Sequence, residues 1–187
     1  MNVDIETIKK CKKNDKNAFM DLFKQYERYL YKLCFSYVQN EQDALDIMQE
    51  VYIKIFKNIG RFELSMPFHP WLRRIAVNSC INHRRTMKYN TVSLNSSSDE
   101  HQSLEEQLAA DTDIEKHIEN LDMERIIKSH LDTISPKHRM VIILRYYEDM
   151  SYEEIAEMLE IPLGTVKTDL YRARNILKSR LAEIADS

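Results

Sequence analysis

Apolar side chains recur every three or four residues along most of this chain, and this spacing places them on one face of an α-helix. The pattern is clearest over residues 18–37, 44–59 and 70–88, and a shorter helical run precedes them at about residues 4–12. The inward-facing positions of the first two long runs are Phe19, Leu22, Phe23, Tyr26, Leu30, Leu33, Cys34, Tyr37, Ala44, Met48, Val51, Tyr52, Ile55 and Ile59. These runs predict a compact helical domain that ends near residue 88.

Short polar residues, glycine and proline mark where these helices begin and end. Asn40 is a favourable N-cap with Asp43 three residues further on, and Gly60 is expected to end the same helix. Residues 61–68 are predicted to form a loop, because two prolines at and beyond its end interrupt helical continuation.

The same signals return near residue 118 and predict a second helical domain. A first helix is expected to end before Ser135, which then caps a new helix that has Pro136 at its first position. Ser151 opens the next helix with a Ser-x-x-Glu capping box. The last helix is predicted to begin near Gly164.

A polar, acidic and serine-rich stretch separates the two helical patterns. Residues 91–124 contain ten acidic side chains and a single lysine, Lys116. This composition is typical of a linker, because it offers too little apolar surface to offset the entropy of folding. We therefore expect an all-α protein with two small helical domains at residues 1–88 and 118–187, joined by a flexible acidic linker at residues 89–117.

The amino-acid composition limits which fold classes and which cellular compartment we expect. The 187 residues include only two glycines and four prolines, which argues against a β-sandwich and against a phosphate-cradling α/β fold. Three widely spaced cysteines favour buried thiols over a disulfide frame or a zinc site. No apolar run approaches the roughly 20 residues of a membrane span, so we expect a cytoplasmic protein with no membrane insertion.

The last helix separates its apolar and polar side chains sharply, although the whole chain carries a formal net charge of −3. Its apolar residues form one narrow stripe at Val166, Leu170, Ala173, Leu177 and Leu181. The opposite face presents Lys167, Thr168, Tyr171, Arg172, Asn175 and Lys178. The corner at 161–164 has the length of the turn in a helix-turn-helix, so this face could enter a DNA major groove. An ordinary helical hairpin with a solvated basic face is the alternative.

Three stretches resemble one known family. "MSYEEIAEMLEIPLGTVKTDLYRARNILKSRL", with its core "GTVKTDLYRAR", is similar to region four of the extracytoplasmic-function sigma factors of the sigma-70 family. "DALDIMQEVYIKIFKNI" and "PWLRRIAVNSCINHRR" resemble two parts of region two of the same family. The motifs stand in the family's order on either side of the acidic stretch. The resemblance implies a promoter-specificity subunit of bacterial RNA polymerase, which has no active site, cofactor, metal or small-molecule substrate of its own.

The resemblance also implies partners for each segment. The first domain would bind the polymerase β′ clamp and help to melt the minus-10 promoter element, and the second would bind the minus-35 duplex and the β flap. The carboxylate-rich linker could run through the channels where RNA later passes. Members of the family are usually held inactive by an anti-sigma factor, so such an inhibitor is an expected partner.

An acidic stripe on the second long helix is the expected polymerase contact. It consists of Asp43, Asp46, Gln49 and Glu50. Clustered carboxylates would speed the encounter with basic partner residues and fix its register. A solvated face without a partner is the alternative reading of the same residues.

The helix at 70–88 carries several arginines, and no acidic residue occurs between Ser65 and Ser98 to balance them. Nearly acid-free basic helices suggest phosphate contacts. The resemblance implies that this helix and the loop before it recognise the minus-10 element, with the loop capturing a flipped base. The expected contacts are Phe62, Phe68, Arg73, Arg74, Asn78, Arg84 and Arg85. Packing of Phe62 and Phe68 in the core is the alternative, and Trp71 is expected to be a core anchor.

Asp169 departs from the family pattern, in which arginine is common at this place in the recognition helix. A helical wheel places Asp169 at the flank of the helix near Arg172 and Arg180, so an intramolecular ion pair is expected. Its negative charge is expected to weaken phosphate attraction nearby.

Two other functions compete with a sigma factor. A stand-alone helix-turn-helix regulator with a helical sensor domain would bind DNA tightly without polymerase. An enzyme is disfavoured, because the sequence contains no glycine-rich phosphate loop, no nucleophile elbow and no cluster of metal ligands.

Overall fold

The computed structural model describes the backbone of residues 3–92 and 131–185, and the side chains of residues 3–86 and 131–179. Within these ranges the chain is helical and contains no strand, as predicted. The helices are α1 (Ile5–Lys12), α2 (Lys16–Val38), α3 (Glu41–Asn58), α4 (Phe68–Val92), α5 (Pro136–Ile142), α6 (Tyr152–Leu159) and α7 (Leu163–Ala185). A π-helical turn, Ile143–Tyr147, continues α5, and 3₁₀ turns occupy Ile59–Arg61 and Leu131–Thr133. We call α1–α4 the N-terminal bundle and α5–α7 the C-terminal bundle.

Polar caps set the starts of the helices in the N-terminal bundle. The Asn40 side chain accepts a hydrogen bond from the backbone N–H of Asp43 at 3.0 Å, which confirms the predicted cap. The helix before it ends at Gln39, which adopts the left-handed conformation with φ of 57°. Helix α3 ends at Asn58, so Gly60 lies inside the following 3₁₀ turn rather than directly at the helix end.

The C-terminal bundle begins its helices at the predicted caps. The Ser135 side chain accepts from the N–H of His138 at 3.4 Å, and Pro136 takes the first helical position. Ser151 and Glu154 form the predicted capping box, with reciprocal hydrogen bonds of 2.7 and 3.1 Å.

The N-terminal bundle is built around α2, which packs against α1, α3 and α4. Its fully buried side chains include Leu22, Leu30, Val51 and Ile55. The thiols of Cys34 and Cys80 also lie in this core, with their sulfur atoms 4.0 Å apart, and both are free cysteines. The hydrogen bond to Cys34 and the burial of the thiol raise the pKa of Cys80. The small apolar role predicted for these cysteines is confirmed.

The C-terminal bundle packs α5 and α6 against the apolar stripe of α7. The residues of this stripe whose side chains are described are all buried, as predicted: Val166, Leu170, Ala173 and Leu177. The short helix α6 contributes Ile155, which is fully buried. The α6 and α7 pair thus has the helix-turn-helix arrangement that the sequence predicts.

The two bundles contact each other through α2, α5 and the π-helical turn. The guanidinium of Arg139 donates to the backbone carbonyl of Tyr37 at 2.5 Å. The ammonium of Lys32 lies 4.9 Å from the centre of the Tyr147 ring. The sequence predicted two domains joined by a linker and left their relative orientation open, so this direct interface was not predicted.

The predicted linker falls mostly outside the described residues. Helix α4 continues to Val92, four residues beyond the predicted end of the first domain at residue 88. The helix predicted between residues 118 and 134 also lies outside the described residues, apart from the short turn at Leu131–Thr133. No helix in the described ranges is long and apolar enough to cross a membrane.

Candidate nucleic-acid interface

The outer face of α7 is exposed between Lys167 and Lys178. It displays one aromatic ring, Tyr171, which is 67% exposed. All six side chains expected there are solvent-exposed: Lys167, Thr168, Tyr171, Arg172, Asn175 and Lys178. The structure therefore brings the predicted minus-35 residues together on one open surface, which we call the recognition face.

The recognition face is supported by a rigid corner. Backbone N–H groups of Thr165 and Val166 donate to the carbonyl of Pro162 at 2.9 and 3.2 Å, which winds the first turn of α7. The guanidinium of Arg174 donates to the Tyr152 hydroxyl at 2.7 Å and ties α7 to α6. These contacts fix the angle at which the recognition face is presented.

Asp169 is not the flanking surface charge that the helical wheel predicted. The residue is 1% exposed, and its carboxylate lies 3.0 Å from the ammonium of Lys137 in α5. The ring of His138 is 3.7 Å from the other carboxylate oxygen. The prediction of an ion pair was correct, but the predicted partners on α7 were wrong, because a wheel of α7 alone ignores the covering by α5.

The basic face of α4 is only partly open. Arg74, Asn78 and Arg85 are exposed, whereas Arg84 is half-buried. Arg73 has a side chain only 13% exposed, and its guanidinium lies 3.3 Å from the carboxylate of Glu148. Arg73 is thus held by the C-terminal bundle and not presented to solvent as the sequence predicted.

Phe62 and Phe68 belong to the core and not to an open base-binding loop. They are 4% and 5% exposed, and their ring centres are 5.4 Å apart. The ring of Trp71 lies 5.1 Å from Phe62 and 5.4 Å from Phe68. The core alternative therefore describes both phenylalanines, because they close the end of the N-terminal bundle against Trp71. The exposed apolar side chain of this loop is Met66, at 59%.

An open cavity of about 410 Å³ lies between α3 and α4 beside the Trp71 ring. Exposed carboxamides of Asn78 and Asn82 line its α4 side. The other lining residues are Lys54, Asn58, Arg61, Trp71 and Ile75. The sequence predicted only Asn78 as a contact here. Asn82 lies on the same helix, whereas Lys54, Asn58 and Arg61 come from α3 and the 3₁₀ turn, which a single-helix pattern does not connect with α4.

The acidic stripe on α3 contains both exposed side chains and carboxylates that lie beside cationic groups. Asp46 and Gln49 are exposed, whereas Asp43 lies 3.5 Å from the imidazole of His83. Glu50 forms an ion pair with Lys54 at 2.5 Å. Exposed apolar side chains interrupt the stripe at Leu45, Ile53 and Phe56, so the surface mixes charge with apolar area. This mixture is more typical of a protein interface than of a solvated face.

No metal centre is evident in the described part of the chain. There, no group of three or more histidine, cysteine, aspartate or glutamate residues could hold an ion.

Comparison with known proteins identifies the family. The sigma-70 region 2 model matches residues 22–88, and the sigma-70 region 4 model matches residues 125–177. The ECF RNA polymerase sigma factor SigW of Bacillus subtilis is 34% identical over 95% of this chain and 96% of its own length. The ECF RNA polymerase sigma-E factor of Escherichia coli is 28% identical over 93% of this chain and 92% of its own. This chain belongs to the extracytoplasmic-function sigma factors of the sigma-70 family.

Solved structures share the fold. CnrH, in a complex with the cytosolic domain of CnrY, has 22% identity and a TM-score of 0.59, covering 98% of this chain and 99% of its own. The sigma factor RpoE of Bartonella quintana, crystallised with the anti-sigma factor NepR, has 22% identity and a TM-score of 0.60. That match covers 88% of this chain and 96% of RpoE. The stand-alone regulator is not favoured, because the family models match region 2 as well as region 4, and the relative at 34% identity covers 95% of this chain.

Proposed function

We propose that this protein directs bacterial RNA polymerase to promoters by holding the enzyme and two promoter elements at once. The observation that carries the proposal is the presence, in family order, of region 2 and region 4 with an exposed recognition face on α7. The protein has a binding and positioning role, and RNA synthesis belongs to the polymerase.

The recognition face of α7 binds the minus-35 duplex in this proposal. Arg172 and Lys167 have the reach and charge to contact guanine edges or phosphates, and Thr168 and Tyr171 add hydrogen bonds or methyl contacts. Asp169 does not present its charge on this face, because its carboxylate is buried beside α5. The region from 118 to 187 would thus act as the minus-35 module.

The α3–α4 cavity receives a base of the melted minus-10 strand. Its carboxamides can hydrogen-bond to base edges, Trp71 offers an aromatic edge, and the exposed Arg61 supplies positive charge. Arg74 and Arg85 lie exposed on the same helix and would hold phosphates. This assignment moves base capture from the buried Phe62 and Phe68 to the polar cavity, within the module at residues 1–88.

The mixed surface on α3 binds the polymerase β′ clamp. Asp46 and Gln49 are available to basic partner residues, and Phe56 and Ile53 offer apolar area for burial. The β flap would contact the C-terminal bundle, and the acidic segment at 89–117 would connect the two modules on the polymerase.

An anti-sigma factor is the regulator that we propose. Two solved relatives of the same fold are described in complexes with CnrY and with the anti-sigma factor NepR. Because RNA polymerase operates in the cytoplasm, we place this protein there.

Run-off transcription with core polymerase tests the proposal. Core enzyme plus this protein should initiate at discrete positions across a promoter library, and core enzyme alone should not. No initiation above core alone across the library would refute it. Tight footprints by the purified protein without polymerase, combined with no pull-down of core enzyme, would instead support the stand-alone regulator.

A further inference from the structure

We propose that Lys137 is an additional minus-35 phosphate contact, and that the buried carboxylate of Asp169 is the positioning residue that holds it there. The inference rests on the proposed function, and extends the DNA-binding surface from α7 onto the first turn of α5.

The Lys137–Asp169 pair is asymmetric in burial. The Asp169 side chain is 2% exposed, whereas the Lys137 side chain is 58% exposed. A buried carboxylate without a partner is costly, so the fold requires a cation at this point. The ammonium of Lys137 supplies that cation at 3.0 Å and is thereby restrained, while much of its surface still faces solvent. A lysine ammonium has three N–H donors, so an ammonium held beside Asp169 by charge can still donate to a phosphate.

The pair lies at the edge of the recognition face. Asp169 directly follows Thr168 in α7, and Arg172 lies one turn further along the same helix. Burial lowers the pKa of His138, and the negative charge of Asp169 opposes this shift. The positive charges of Lys137 and Arg172 lower the same pKa further. Arg172 is thus an electrostatic neighbour of the α5 N-terminus, and Lys137 adjoins the cationic end of the recognition face.

Lys137 is separated from the contact between the two bundles. Arg139, two residues further on, donates to the carbonyl of Tyr37 in α2. Residues two apart in a helix point in widely different directions. Lys137 is therefore free to face DNA whether or not the bundles stay in contact.

The decisive variant is the double substitution Lys137→Gln/Asp169→Asn, which removes both charges and leaves no unpaired carboxylate. The measurement is the dissociation constant of holoenzyme for a duplex promoter fragment that the wild-type holoenzyme transcribes, over a series of salt concentrations. A plot of the logarithm of affinity against the logarithm of salt concentration falls with a slope of roughly −0.9 for each phosphate that the protein neutralises. The double variant loses one such contact, so its slope should be shallower than that of wild type by about 0.9. The affinity loss should be similar for different minus-35 sequences, since a phosphate contact carries no base information.

Two further variants complete the test. Lys137→Arg keeps the cation and should retain the wild-type slope, whereas Lys10→Gln removes an exposed lysine on α1 and should leave the slope unchanged. A normally folded double variant with the wild-type slope would overturn the role of Lys137. If the wild-type holoenzyme transcribes no promoter, the proposed function has failed instead, so the two failures are distinguishable.

A separate set of contacts carries a second inference. We infer that Glu148 is a latch that holds the two bundles together and keeps Arg73 away from promoter DNA. The Glu148 side chain is 6% exposed, and its carboxylate accepts from the Tyr29 hydroxyl at 3.1 Å and from Arg73 at 3.3 Å. The imidazole of His69 lies 3.8 Å away.

The latch couples promoter binding to separation of the bundles. The Arg73 side chain is only 13% exposed and its guanidinium is paired with a carboxylate, so a phosphate cannot reach it in this arrangement. Arg73 must therefore leave Glu148 before it can assist at the minus-10 element. The apparent affinity of the free protein for a minus-10 strand is then its intrinsic affinity multiplied by the fraction of molecules that are open.

Glu148→Gln weakens the latch and removes one negative charge. The variant should bind a single-stranded minus-10 oligonucleotide roughly three- to tenfold more tightly than wild type, because more molecules are open. Glu153→Gln is the matched control, since it removes an exposed charge from α6 of the same bundle and should change binding less than twofold. Equal binding by Glu148→Gln and the control would overturn the latch. Small-angle X-ray scattering should show a larger radius of gyration for Glu148→Gln alone, and an unchanged radius would also count against it.

Discussion

The guanidinium of Arg139 in α5 donates a hydrogen bond to the main-chain carbonyl of Tyr37, near the end of α2. The same guanidinium donates to the carbonyl of Ile134 at 3.1 Å, and the residue is 6% exposed. One buried side chain thus satisfies carbonyls in both bundles. This relationship joins two segments that are 102 residues apart in the chain.

Replacing Arg139 should therefore destabilise the protein. Arg139→Met keeps the length of the side chain but leaves buried carbonyls unpaired, at a cost of about 1–3 kcal/mol. Urea unfolding followed by circular dichroism measures the loss. Arg28→Met, at an exposed position of α2, should change the free energy of unfolding by less than about 0.5 kcal/mol. Equal stabilities of the two variants would contradict the role of Arg139.

Substitution of Arg172 should separate DNA binding from folding. Arg172→Ala removes an exposed cation from the recognition face, so promoter affinity should fall by about 1–3 kcal/mol. The thermal unfolding midpoint should hardly change, because the side chain makes no core contact. Binding of holoenzyme to a transcribed promoter fragment, together with calorimetry, checks both parts. A large drop in the midpoint would contradict the assignment.

The capping box of α6 should make the free energy of unfolding depend on pH in the acidic range. Hydrogen bonds from Ser151 lower the pKa of Glu154 below its ordinary value of 4.5. A depressed carboxyl pKa adds stability above the unfolded pKa, and this stability is lost as pH falls through the folded pKa. Wild type should thus be slightly more stable than Glu154→Gln at neutral pH, and the difference should diminish as the pH falls through the lowered pKa of folded Glu154. Urea unfolding at several pH values measures it. A difference that grows as the pH falls would have the wrong sign.

The α3–α4 cavity should report base binding through the single tryptophan of the chain. Trp71 lines the cavity, so a single-stranded minus-10 oligonucleotide should change its fluorescence, and the corresponding duplex should do so less. Asn78→Ala removes a carboxamide from the cavity wall and should weaken oligonucleotide binding by about 1 kcal/mol. An unchanged emission spectrum at saturating oligonucleotide would exclude base entry beside Trp71.

Local structure was predictable from the sequence because its determinants are local. The caps at Asn40, Ser135 and Ser151 each act within three residues, so a linear pattern suffices to find them. The apolar stripe of α7 was equally readable, since helical spacing alone decides which side chains share a face.

Contacts between elements were not predictable in the same way. The Asp169 carboxylate is buried because α5 covers it, and nothing in the sequence of α7 records that neighbour. The contact of Arg73 was equally hard to predict, because its partner Glu148 is 75 residues away in the chain. For Phe62 and Phe68 the sequence allowed either packing in the core or contact with DNA. Their aromatic packing with Trp71 shows that they belong to the core.

The paired thiols in the centre of the N-terminal bundle make it possible to time its opening. All three cysteines are buried and free, and burial raises the pKa of Cys11 to about 11. A thiol reagent therefore has neither access nor reactive thiolate while the helices remain packed. The rate at which an alkylating agent modifies Cys34 and Cys80 becomes a direct readout of how often α2 and α4 part.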